Sequence, residues 1–123
     1  MPDLNNDLDL TFLYEIADGS NEFIVESITM FIDQSPDILE EMGGAIAAGD
    51  WALAAQSAHK IKANLGFFGM LNSQALVQQI ETACKDGSAP TANLTSKFNE
   101  VKNLISANLI ALKQIKTEKE NGI

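Results

Sequence analysis

The stretch SNEFIVESITMFIDQSPDILEEMGGAIAA, residues 20–48, decides the fold class. Ile24, Ile28, Phe31, Ser35, Ile38, Met42 and Ala45 recur at intervals of 4, 3, 4, 3, 4 and 3. That rhythm puts them on one face of a long helix, as alternation would not. Ser20 is placed to cap its start. Pro36 lies inside the run, lacks a backbone donor, and predicts a kink or break near Ile32–Ser35. Gly43 and Gly44 each weaken the helix by roughly 1 kcal/mol relative to alanine, or else let a second helix approach closely.

The same reading extends outward. A short amphipathic segment covers about Leu8 to Ala17, before the break at Asp18, Gly19 and Ser20. Gly49 and Asp50 end the long helix and cap the next. That next helix buries Trp51, Ala54, Ala58, Ile61 and Leu65, and Gly66 and Gly69 mark its end. Another segment, Met70 to Lys85, turns Leu76, Ile80, Ala83 and Cys84 inward. Asp86–Pro90 reads as a loop. A last helix over Thr91–Thr117 buries Leu94, Phe98, Val101, Ile105 and Leu112, and the 118–123 tail is expected to fray. The expectation is an all-α protein. It is an antiparallel four-helix bundle with a short additional N-terminal helix over one end, a single domain spanning 1–123 with its core at about 20–117.

Composition narrows the function. The 123 residues carry a net charge of −9 with no arginine. Nucleic acid and anionic membrane surfaces both demand clustered cations, so neither is an expected partner. No apolar run is long enough to span a bilayer, and the acidic N-terminus MPDLNNDLDL lacks the features of a signal peptide. The lone Cys84 has no partner for an intrachain disulfide. These features point to a cytoplasmic protein whose partners are other proteins; a monomer is expected, though no residue pattern sets the oligomeric state.

His59 is the only histidine. The first fifty residues hold twelve carboxylates and no Lys, Arg or His, whereas Trp51–Ile80 holds no Asp or Glu and places Lys60 and Lys62 just after the ring. His59 falls about 100° from the centre of the buried stripe near Ala58, on the helix flank among the small residues Ala52, Ala55, Ala63 and Gly66. Lys62 shares that side one turn on, and Gln56 sits one turn back, where it could orient the ring. A neutral imidazole is a competent nucleophile, and nearby ammonium groups favour that form. A lysine beside it suits the charge spread over a phosphoryl group in transfer. There is no nucleotide-binding glycine loop and no carboxylate set for magnesium, so the phosphoryl group would come from elsewhere. A thiol–imidazole enzyme built on Cys84 and His59 fits poorly, since Cys84 lies on an inward stripe; one histidine and one cysteine do not make a zinc site.

The run His59-Lys60-Ile61-Lys62, followed by Gly66 and Gly69, resembles the signature of histidine-containing phosphotransfer (HPt) domains. That signature has lysine three residues after the histidine and a glycine ten after it. Phe31, Pro36, Leu39 and Gly49-Asp50 upstream, and Leu76 and Ile80-Glu81 downstream, extend the similarity over about Phe23–Gly87. The resemblance implies a bundle that shuttles phosphoryl groups between receiver-domain aspartates or takes one from a hybrid histidine kinase. By it, His59 is the phospho-acceptor through Nε2, Lys62 supports the phosphoryl oxygens, and Gln56 is a weaker carry-over. Ala55, Lys60, Ala63 and Gly66 are the expected docking surface. No cofactor of its own is implied, magnesium being expected in the partner receiver. Ala63 stands where the family has glycine. It leaves an alternative open: a helical adaptor that binds receivers without being phosphorylated.

Overall fold

The computed structural model describes residues 7–87 and 90–122. Five helices follow in order: α1 Thr11–Ala17, α2 Asn21–Ala48, α3 Trp51–Phe67, α4 Leu71–Asp86 and α5 Thr91–Asn121. The sequence features at residues 1–6, and those at 88, 89 and 123, lie outside the described residues. Helices α2, α3, α4 and α5 close into a ring in which each packs against the next and α5 returns to α2. That is the four-helix bundle expected from four amphipathic helices on short connections. Helix α1 lies against α2. No helix among the described residues is long and apolar enough to cross a membrane.

Local chemistry sets the boundaries. Ser20 Oγ accepts the Phe23 N–H at 3.1 Å, and Asp50 Oδ1 accepts the Leu53 N–H at 3.2 Å, so both expected caps form. Gly49 ends α2 with φ of 72°, a conformation that costs a side chain but not glycine. Pro36 does not break α2, which is helical throughout. Proline removes one donor, and the packed face on both sides holds the rest of the helix together. Gly43 has the close-approach role: a Cβ there would stand 2.8 Å from Cζ of Phe98 on α5.

The core differs from the expected stripes in a few places. Leu39, not Ile38, is buried on α2. On α4 the inward residues are Ser73, Val77, Ile80, Glu81 and Cys84, with Leu76 and Ala83 only half-buried. Trp51 and Phe98 are also half-buried. The α3 stripe of Ala54, Ala58, Ile61 and Leu65 is fully enclosed, and each such Ile or Leu contributes roughly 2 kcal/mol. Helix α5 continues to Asn121, past the expected end at Thr117; Lys119 lies 5.0 Å from the Tyr14 ring centroid.

The N-terminal segment closes the end of the bundle where α3 turns into α4. The Asp9 N–H donates to the Phe68 carbonyl at 3.2 Å. Phe68 is buried against Phe31, while Phe67 stays half-buried, edge-on to Phe12 at 5.6 Å. Asp7, only 1% exposed, supplies the cap that α4 lacks at its own Met70. Its Oδ1 accepts the N–H groups of Asn72 at 2.7 Å and Ser73 at 3.2 Å; its Oδ2 accepts from Ser73 Oγ and, at 3.0 Å, from Asn108 Nδ2 of α5. A carboxylate at a helix N-terminus is favourable by charge as well as by hydrogen bonding.

Candidate functional site

His59 sits in the middle of α3, on the side that meets α4. Its side chain is 72% exposed, as the helical geometry predicts. The ring is not free, however. Nδ1 lies 3.2 Å from Oε2 of Glu81, a residue of α4 whose side chain is only 3% exposed. Lys62 donates to the other oxygen of the same carboxylate, Oε1, at 2.7 Å, and to Gln78 Oε1 at 2.9 Å. Lys85, one turn beyond Glu81, places its ammonium 3.0 Å from Oε2. One carboxylate therefore gathers one imidazole and two ammonium groups. The ammonium of Lys62 holds the Glu81 carboxyl down at about 2, against the opposing effect of burial, and Lys85 adds to it. Glu81 is thus an anion across the physiological range.

This arrangement corrects the expectation of a carboxylate-free surrounding. The window without Asp or Glu is real along the chain, but it ends at Ile80, and Glu81 is delivered from the neighbouring helix. The ammonium of Lys62 is consequently already paired, and the positive field at the ring is smaller than the local sequence suggests. Gln56 is exposed and borders the depression beside the ring, but the hydrogen bond on the ring comes from Glu81. The sequence signal for the missed partners is a polar row on α4, Gln74, Gln78, Glu81 and Lys85, spaced 4, 3 and 4, running beside the buried Val77, Ile80 and Cys84.

The expected docking residues fall around the ring in different ways. Lys60 is turned toward α2, its Nζ 3.4 Å from Glu41 Oε1, which also accepts from Ser57 Oγ at 2.6 Å. The Ser57 hydroxyl and then the Lys60 ammonium pull Glu41 below the usual carboxylate range. Ala63 is exposed. Ala55 is not a surface residue; it is 7% exposed and lies at the base of a depression of about 590 Å3 that His59, Gln56, Lys60 and Lys85 border. Gly66 makes room for Gln74, whose Nε2 donates to the Lys62 carbonyl at 3.3 Å; a Cβ at Gly66 would stand 2.6 Å from that nitrogen. Gly69 has φ of 68° and lies under the Asp9 backbone, leaving no room for a side chain. Cys84 is buried, and burial pushes its thiol up, the reverse of an activated thiolate.

The family model described as Hpt domain matches residues 26–114, well over half of the chain. Among solved structures, the HPt domain of the Hpt sensor hybrid histidine kinase from Shewanella superposes with a TM-score of 0.77 at 24% identity, covering 94% of this chain and 97% of that one. That likeness carries the fold. None of the curated proteins matches. With the histidine, the lysine one turn on and the glycine ten residues on all within the matched span, the chain belongs to the Hpt domain family.

Proposed function

We propose that this protein is a phosphorelay intermediate that accepts a phosphoryl group on Nε2 of His59 and passes it on. Proteins of the Hpt family take part in phosphorelays and interact with receiver domains and histidine kinases. The observation that carries the specific reading is the contact between Nδ1 of an exposed ring and the carboxylate of a buried glutamate. Because Glu81 is ionised, it can only accept, so Nδ1 carries the ring proton and the lone pair of Nε2 faces away from it. The nucleophilic nitrogen is therefore selected by the hydrogen bond on the other one.

The transfer balances without a proton leaving the ring. The Nε2 lone pair attacks phosphorus of a receiver's aspartyl phosphate. The N–P bond forms as the P–O bond to the aspartate breaks, and the aspartate departs as a carboxylate. The ring becomes a cation that retains its Nδ1 proton, and its new positive charge lies against Glu81. Lys62, anchored on Glu81 and Gln78, supplies positive charge beside the incoming phosphoryl oxygens. Magnesium, in this reading, belongs to the partner receiver. The depression bordered by His59, Gln56, Lys60 and Lys85 is the surface a receiver would meet; in this reading the protein works as a cytoplasmic monomer.

Incubation with a phosphorylated receiver and magnesium tests the reading. Label should appear on the wild type and vanish in His59→Gln, which should keep its helical content and melting temperature. Label persisting in His59→Gln, or no transfer from any receiver of the same organism, would overturn it. Receiver binding without phosphohistidine in the wild type would instead establish the adaptor that Ala63 leaves open.

A further inference from the structure

We infer that Lys85 is a positioning residue for the phospho-acceptor, acting through Glu81 by sharing with His59 the single carboxylate oxygen Oε2. The inference rests on the reading of His59 given above and extends it to a residue outside the histidine's own helix.

The geometry separates the two lysines on Glu81. Lys62 takes Oε1, is 25% exposed, and has a second anchor in Gln78. Lys85 takes Oε2, is 64% exposed, and has no second acceptor among the described hydrogen bonds. His59 Nδ1 lies 3.2 Å from that same Oε2 and Lys85 Nζ lies 3.0 Å from it. Two donors on one oxygen divide its charge. While Lys85 is bound, the oxygen that orients the ring is shared with an ammonium group. With Lys85 removed, Oε2 is left to the ring alone, and the carboxylate stabilises the doubly protonated imidazolium, which has no lone pair to offer. Lys85 thus lets one buried glutamate orient the nucleophile while limiting how far it disarms it. The other charged groups around this centre are Lys62 and Lys60 from α3 and, behind Lys60, Glu41 of α2. None of these contacts Oε2.

The test compares the wild type with Lys85→Met and Lys85→Arg by two readouts. The first is the NMR titration of the His59 ring. The second is the pH profile of labelling by phosphoramidate, a small donor that needs no receiver. Removing a unit charge within about 6 Å of the ring should move the Lys85→Met titration midpoint and the rising limb of the profile upward by about half a pH unit. Labelling just below neutral pH should slow accordingly. Lys85→Arg, which keeps the charge, should stay near the wild type. Unmoved curves in Lys85→Met, or equal shifts in both variants, would overturn the inference. If the wild type took no label from phosphoramidate or from any receiver, the phosphorelay reading would fall instead; the ring titration would still decide the role of Lys85.

Discussion

His59 Nδ1 and Glu81 Oε2 stand 3.2 Å apart across the α3–α4 interface, joining a ring that is 72% exposed to a carboxylate that is 3% exposed. In the proposed reading, the pair gives a surface histidine, which would otherwise exchange tautomers freely, a proton held on Nδ1 and a lone pair left free on Nε2. The buried end supplies rigidity and the exposed end supplies access. The charge needed to keep a carboxylate in that position comes first from Lys62, 2.7 Å from Oε1, and then from Lys85, 3.0 Å from Oε2.

Glu81→Gln follows directly. Glutamine presents one acceptor oxygen where glutamate presents two, so Lys62 and His59 can no longer both be served. Its amide nitrogen can also donate to Nδ1, which would select the other tautomer. Phosphoryl acceptance from a receiver should fall about tenfold or more, in the range seen when the partner that orients a functional histidine is lost. Time courses of label transfer measure it; an unchanged rate would remove Glu81 from the site.

Stability should depend on the same carboxylate. Glu81 moves from an ordinary 4.5 to about 2 on folding, a depressed value, so its contribution is complete above about 4.5 and is lost as pH falls toward about 2. Urea midpoints measured between pH 6 and pH 2.5 should therefore decline for the wild type. The gap between wild type and Glu81→Gln should be widest at pH 6 and should narrow through the acid range. A gap independent of pH would mean that Lys62 and Lys85 do not favour the ionised form in the folded state.

Much of this was legible in the sequence because helices carry their own period. The α2 rhythm, the Ser20 and Asp50 caps and the outward angle of His59 are all local properties, and the structure reproduces them. What escaped was set between helices. Ile80-Glu81 reads along the chain only as part of the following helix, because the distinction of Glu81 lies in facing His59 from 22 residues away. Ile38 and Leu39 are adjacent, and either satisfies a helical stripe; the fit against neighbouring helices picks Leu39. Asp7 was one acid among twelve in the first fifty residues, and only the uncapped start of α4 gives it a buried role.

Ala63 offers a test of partner approach. It is exposed one turn after His59, where the family has glycine, and it forms no hydrogen-bonded part of the histidine's support. Ala63→Gly should leave phosphoramidate labelling unchanged while speeding transfer from a receiver, since only the large donor has to pass the methyl. The helix should lose about 1 kcal/mol. Equal effects on both donors would place the methyl's influence in the chemistry of the ring rather than in docking.

Asp7→Ala tests the closure at the other end of α4. The substitution strands the Asn72 and Ser73 N–H groups, the Ser73 hydroxyl and the Asn108 amide, all of which donate to this one carboxylate. Losing a helix cap costs about 1 kcal/mol, and stranding buried donors adds about 1–3 kcal/mol, so a total of roughly 2–4 kcal/mol is expected from denaturant unfolding. Gly69→Ala should be costly for a related reason: φ of 68° disfavours any side chain, and its methyl would meet the Asp9 backbone that crosses there. Gly66→Ala should cost less, because the Gln74 side chain that it meets can swing away while backbone cannot. A ranking with Gly66→Ala as the most damaging of the three would show that the α3–α4 interface beside His59, rather than the N-terminal closure, carries the stability of this end of the bundle.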